Sequence, residues 1–261
     1  MASPDDSTER IYALWDHMAG FEAAQQDVAL KHLLSELCAL VDAQNASWVC
    51  AVRMPQMGPN DPVNGWRPRL SEHLHPFARL RAGAREQTRM LEEGDIDLTT
   101  VRNVALAGRF RANRLIDLVP EEWFSSGYYR NFYEGLGHTD AIWAGCPVNA
   151  DAEVYFGLYR GEGHPRFTEA ERDMAAAALR GLKWFHRNQL LGHGLLVAAT
   201  PLTAAERGVL QGLLGGEPEK QIAADLGQSY HTTHEHVMAI YRKFGVNNRA
   251  ALMALWLGKA G

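Results

Sequence analysis

The stretch EPEKQIAADLGQSYHTTHEHVMAIYRKFGV, Glu217 to Val246, decides the fold of the C-terminal part of the chain. Pro218 suits a first helical turn, Ile222, Ala223 and Leu226 make a narrow apolar stripe, and Gly227 stops a short helix. Ser229 can cap the next helix, which leaves a three-residue turn, Gly227 to Ser229, between two helices. That is helix-turn-helix arithmetic.

The second of these helices carries three histidines within six residues, which raises metal binding or catalysis as alternatives. Turning about 100° per residue from His231 puts Thr233, Val237, Ile240 and Phe244 on one core-facing stripe, with His236 at its flank. His231, His234, Glu235, Met238 and Arg242 share the opposite, outward face. A helical metal pair needs i, i+3 or i, i+4 spacing, and His236 points some 160° away from His234, so the cluster does not read as a site; HTTHEH is not HExxH. A convex outward face also offers neither a nucleophile nor an enclosing pocket for a general base. An exposed second helix with hydrogen-bonding side chains can instead enter the major groove of double-stranded DNA.

Working outward, Thr203 and Glu206 form a capping box ahead of a helix whose Val209, Leu210, Leu213 and Leu214 face inward, ended by Gly215 and Gly216. The segment GHGLLVAATP, Gly192 to Pro201, separates this block from what precedes it, which sets the expected domains at 1–191, a linker at 192–200, and 201–261. The first domain opens with two helices, about Ser7–Ala19 and Ala23–Asp42, the second with Val28, Leu30, Leu33, Leu34, Leu37 and Leu40 near helical spacing. SWVCAVRM, Ser47 to Met54, reads as a strand, followed by the breaker-rich loop PQMGPNDPVNG. His73 to Leu118 reads as mostly helical and arginine-rich. AIWAGCPV and EVYFGLYR form a hairpin, and Thr168 and Glu171 cap a long helix running past Leu190.

With 46% hydrophobic and 22% charged residues, the 261-residue chain reads as globular rather than disordered or fibrous. No apolar run is long enough to span a bilayer, and the acidic start MASPDDSTER is not a basic leader, so a cytoplasmic protein without a membrane partner is expected. Cys38, Cys50 and Cys146 lack CxxC spacing and read as buried thiols. The net charge of −5 is uneven: residues 201–261 carry +1 and the rest carries −6.

From Leu202 to Leu255 the sequence resembles the LuxR-type (LuxR/FixJ) helix-turn-helix of bacterial transcription regulators. The matching residues are Leu202, Thr203 and Glu206, Val209 and Leu210, Gly216, Lys220, Ile222 and Ala223, Leu226 and Gly227, Ser229, Thr232, His236, Ile240, YRKFGV at 241–246, and Arg249. The resemblance implies a four-helix domain whose third helix reads DNA through the positions held here by His234, Glu235 and Met238. It implies a fourth helix, about Arg249 to Leu257, that dimerises through Leu252, Leu255 and Trp256. Candidate phosphate contacts are Lys220, Ser229, Thr232, Arg242, Lys243 and Arg249, with His231 beside them on the outward face. His234 stands where the family usually has lysine and Glu219 where it usually has asparagine, while Glu235 replaces a neutral or basic residue. These departures take positive charge from a face that would meet a polyanion.

Lys31 and Lys183 are the only lysines before the tail, which argues against a phosphorylated receiver domain. The element order resembles a GAF or PAS type sensor, or the related autoinducer-binding domain. The acyl-homoserine-lactone family's W-x3-Y then D-P signature is absent from its usual place: Trp123, Tyr128, Tyr129, Phe132, Tyr133, Asp140 and Trp143 lie later and at other spacing. Trp48, Tyr128, Tyr133 and Trp143 are the candidate lining of a small-molecule cavity. The expected fold is therefore an α+β sensor domain, helices flanking an antiparallel sheet, followed by an all-α four-helix domain. The expected function is a homodimeric, non-enzymatic transcription regulator that binds double-stranded DNA and a small-molecule signal and needs no cofactor or metal. The alternative is a ligand-independent or DNA-binding-impaired regulator acting through protein–protein contacts.

Overall fold

Leucines at helical spacing draw the second helix of the chain into the core. The computed structural model describes residues 4–54, 60–196 and 201–258. Residues 197–200 of the expected linker and 55–59 of the proline-rich loop lie outside the described residues. Helices α1 (Pro4–Ala19) and α2 (Gln26–Val41) open the chain, and Leu30, Leu33, Leu34, Leu37 and Leu40 of α2 are buried. Val28, expected on the same stripe, is 60% exposed.

Strands β1 (Asn45–Arg53) and β2 (Trp66–His73) follow, then helices α3 (Ala78–Glu93) and α4 (Leu98–Val104). After β3 (Arg111–Arg114) and two short helices, α5 (Leu115–Leu118) and α6 (Gly127–Phe132), the expected hairpin closes the sheet as β4 (Asp140–Pro147) and β5 (Ala152–Arg160). The order is β2-β1-β5-β4-β3, antiparallel throughout. Residues 73–118 are mostly helical, as expected, but they also hold the unexpected β3, and β2 ends where that region begins. Both unanticipated strands are sheet edges: β2 carries Pro68 and four charged or histidine side chains among eight residues, and β3 is four residues long. Edge strands tolerate proline and charge, so their pattern is weak.

Strand alternation sorts the central strands into two faces. Trp48, Phe156 and Ala144 sit in one cross-strand row, and Cys50, Val154 and Cys146 in the next, all buried. Burial pushes the Cys38 thiol up to about 12 and the other two thiols up as well, so all three stay protonated. Arg160 fastens the end of β5: it donates to the carbonyls of Val41 and Asp42 and pairs with Glu171 at 2.5 Å.

Thr168 caps α7 (Glu169–Arg180) through the expected box with Glu171. The long helix expected here is two helices, because the chain turns at Gly181 and Leu182 before α8 (Lys183–Gly192). Trp15 packs so closely at Gly181 that a Cβ there would stand 2.5 Å from its ring, and the Trp15 indole donates to the Ala178 carbonyl at 2.8 Å.

The chain forms two compact units, Met1–Asp16 with Lys31–Lys183, and His17–Leu30 with Trp184–Gly261. In the second, α9 (Ala204–Leu214), α10 (Glu219–Asp225), α11 (Tyr230–Phe244) and α12 (Arg249–Trp256) surround a core of Val209, Leu210, Leu213, Ile222, Val237, Ile240, Phe244, Leu252 and Trp256, with Leu191 of α8 in the same cluster. Arg207 of α9 pairs with Asp27 at the start of α2, and Arg187 donates to the last carbonyls of α12, those of Leu255 and Trp256. α9 and α10 pack closely at Gly212, where a Cβ would lie 2.6 Å from Ile222. Gly212→Ala is expected to lower the stability of this unit by roughly 1–3 kcal/mol through overpacking, as read from a denaturation midpoint.

Candidate DNA-reading face and candidate ligand cavity

The turn between α10 and α11 is made by Gly227 in the left-handed region, φ +63°, a conformation that costs glycine little. Ser229 then caps α11, accepting from the Thr232 amide at 3.1 Å, and the buried Thr233 hydroxyl bonds back to the Ser229 carbonyl. Thr233, Val237, Ile240 and Phe244 are buried, and His231, His234, Glu235, Met238 and Arg242 are exposed, so the helix presents the expected face. Met238 is 48% exposed at its centre.

The charges on this face are paired in a way the single-helix reading could not see. His234 Nδ1 lies 2.9 Å from Glu219 Oε2 across the turn, and His231 lies 3.4 Å from Glu235 one turn along α11. Two of the departures from the usual LuxR pattern, at 219 and 234, are therefore partners. The Tyr230 ring stacks on the His234 imidazole with centroids 6.2 Å apart.

The candidate phosphate contacts divide. Lys220, Ser229 and Arg242 are exposed and Thr232 is half-buried. Lys243 turns inward, donating to the Pro201 carbonyl and to Glu206 at 2.7 Å. Burial raises the Glu206 carboxyl, but the Lys243 ammonium and the Thr203 amide outweigh it and hold the group below the usual carboxylate range. Arg249 donates to the carbonyls of Glu217, Gly212 and Leu213, capping the end of α9. Of the candidate dimer residues, Leu252 and Trp256 are buried in this unit's own core at 0% and 5% exposure, and Leu255 is half-buried beside it.

In the first unit a cavity of about 600 Å³ lies between one face of the sheet and helices α3, α4 and α6. Ser47, Val49 and Ala51 of β1, Tyr155 and Tyr159 of β5 and Trp143 of β4 form one wall, and Leu91, Asn103, Tyr128 and Tyr133 are among the residues opposite. Three of the four expected lining residues, Tyr128, Tyr133 and Trp143, border it. Trp48 does not: it alternates with Ser47 and Val49, so it projects into the core on the far face of the sheet.

Apolar and aromatic walls with a few polar groups suit a small organic ligand. The Trp143 indole donates to the Tyr133 hydroxyl at 3.1 Å, Gln87 donates to the Tyr128 hydroxyl at 2.8 Å, and Ser47 and Tyr159 share a hydrogen bond of 2.8 Å. Burial raises all three phenols, so they keep their protons at neutral pH. Asp97 caps α4 and also accepts from the Trp123 indole at 2.8 Å. Asn103 Oδ1, buried in the cavity wall, has no hydrogen-bond partner. Its place in the cavity wall was not visible in the sequence, where Asn103 is one polar residue in the arginine-rich stretch His73–Leu118.

Among the described residues no three His, Cys, Asp or Glu side chains are grouped to hold a metal ion, and no helix is long and apolar enough to cross a membrane. Residues 200–256 match the profile of the family described as bacterial regulatory proteins, luxR family. A segment of 66 residues, 25% of this chain, is 44% identical to the probable transcriptional regulatory protein SgaR of Hyphomicrobium methylovorum and covers 30% of that relative. Among solved structures, SdiA in complex with octanoyl-rac-glycerol is similar at 13% identity and a TM-score of 0.48, covering 100% of this chain and 98% of that one. The VqsR LBD domain from Pseudomonas aeruginosa is similar at 14% identity and a TM-score of 0.46, over 68% of this chain and 95% of that one. The Gly227 turn between α10 and the capped α11, the outward face of α11 and the match over residues 200–256 together make the C-terminal segment a helix-turn-helix domain of the luxR family of bacterial regulatory proteins.

Proposed function

We propose that the protein is a cytoplasmic, homodimeric transcription regulator in which α11 enters the DNA major groove and the first unit holds a small-molecule signal. The exposed face of α11 carries this reading: five side chains able to meet base edges or phosphates stand on one side of a helix whose other side is locked in the core. Lys220, Ser229, Thr232 and Arg242 are the phosphate contacts we favour, with His231, His234, Glu235 and Met238 toward the bases. Lys243 and Arg249 support the fold of the domain instead. Leu252 and Trp256 hold α12 against its own core, so the dimer is expected to use other surface. The cavity holds the signal, with Tyr128, Tyr133, Trp143 and Asn103 as its polar contacts.

Binding to a duplex library as salt is raised tests the DNA role: affinity is expected to fall linearly on logarithmic axes, by roughly one power of salt per phosphate contact. Affinity unchanged with salt would sink it. The second reading, an interaction module that no longer selects DNA sequence, is favoured by Glu219 and Glu235 beside the reading histidines, and absence of sequence preference at low salt would support it. Native mass spectrometry of the full chain tests the cavity, where a bound small molecule released on unfolding is expected.

A further inference from the structure

His234 can meet a base in two chemically opposite ways, and its partner across the turn decides between them. A carboxylate only accepts hydrogen bonds, so the 2.9 Å contact between Glu219 Oε2 and His234 Nδ1 requires the proton on Nδ1. A neutral imidazole carries one proton, and the hydrogen bond at one nitrogen settles which nitrogen is left bare. Nε2 of His234 is then a bare acceptor on a side chain that is half exposed on the outward face of α11. The Tyr230 ring, stacked on the imidazole at an interplanar angle of 19°, helps hold its plane.

Glu235, the next residue, is also an acceptor, and its neighbour His231 is 3.4 Å away. The other charged groups around the pair are few. Lys220 follows Glu219 on α10 and forms no ion pair among the described residues, and Tyr241 on α11 lies within electrostatic reach of Glu219 and of Arg249 from α12. With neutral histidine, the centre of the reading face therefore offers two adjacent acceptors and no donor from either side chain.

We propose that Glu219 sets His234 as a hydrogen-bond acceptor, so that His234 and Glu235 together select, on the strand they face, bases presenting amino groups in the major groove. The amino groups are cytosine N4 and adenine N6, whereas guanine offers only N7 and O6 acceptors there. This rests on α11 reading DNA. It makes Glu219 a positioning residue that touches no base.

Two measurements on the full chain test it. Nitrogen-15 spectra of labelled histidine, without DNA, are expected to show His234 protonated at Nδ1 and bare at Nε2 at about pH 8, where histidine is ordinarily neutral. Selection from randomised duplexes is expected to enrich cytosine or adenine over guanine by on the order of tenfold at one base pair per half-site at that pH. Glu219→Ala is expected to flatten the preference, while Glu217→Ala removes the same charge nearby and leaves the preference intact. An Nε2-protonated ring, an unaltered preference in Glu219→Ala, or an equal change in Glu217→Ala overturns the proposal. The expected tautomer with no sequence selection by any form of the protein overturns the proposal together with the DNA-reading role of α11, while a wrong tautomer with clear selection overturns the proposal alone.

Discussion

Replacing Glu153 with leucine is expected to cost about 3–5 kcal/mol of folding stability, because it strands a buried cation. Glu153 and Arg111 pair at 2.8 Å with side chains 0% and 5% exposed, and Glu153 also accepts from the Gly108 amide. Arg111 gives a further bond to the Tyr155 hydroxyl at 2.9 Å, beside the cavity. Burial opposes the charge on Arg111, but the bonds to Glu153 and Tyr155 outweigh it and raise its pKa above the ordinary arginine value. Without the carboxylate, that guanidinium has no charge partner among the described residues and is almost wholly buried. Urea unfolding followed by tryptophan fluorescence reads the loss. The double substitution Arg111→Met with Glu153→Leu is expected to be closer to the native protein than either single change, since removing both charges removes the desolvation penalty as well. Single and double variants of equal stability would show that the pair is not what holds β3 to the sheet.

Arg242→Glu is expected to weaken DNA binding by about 1–3 kcal/mol, roughly 5- to 150-fold, with little change in stability. Arg242 is exposed in the last turn of α11 and has no ion-pair partner among the described residues, so its charge is free to meet a phosphate. Its neighbour Lys243 is committed to Glu206, and Arg249 to the carbonyls ending α9. Reversing Arg242 therefore takes the main cation from that end of a face that already holds Glu235. Titration of a labelled duplex at fixed salt measures the effect. A salt slope that does not fall with the affinity would mean the residue does not face a phosphate.

The helix-turn-helix was legible because its signals are local: two caps, one left-handed glycine and one apolar stripe at helical period, each contained in a single helix or turn. The central strands were legible because buried strands are continuous apolar runs. What failed was set by partners distant in sequence. β2 and β3 carry proline and charge because they are edges, and only pairing with β1 and β4 shows them to be strands. The helical pattern breaks at Gly181, where Trp15, distant in sequence, fills the space a side chain would need. Trp48 was one residue out of register with the cavity wall, and a shift of one residue in a strand exchanges the two faces.

On α11, rotation by residue number sorted the named side chains into buried and exposed faces but could not reveal that Glu219 reaches His234 from another helix. Long basic side chains were the least legible. Lys243 and Arg249 fit a phosphate-contact pattern, yet both bend back to carbonyls and a carboxylate of their own domain. Leu252 and Trp256 fitted a dimer surface in the same way, and the core claims them.

The most direct measurement is photocrosslinking from position 238. Met238 sits at the centre of the exposed face of α11, and His236, two residues earlier, flanks its buried side. A photoreactive amino acid replacing Met238 in the full chain, bound to a selected duplex, is expected to crosslink to base edges in the major groove, whereas the same group at His236 is expected to give no base crosslink. Duplex binding with no crosslink from 238, or with equal crosslinks from both positions, would contradict the placement of α11 in the groove.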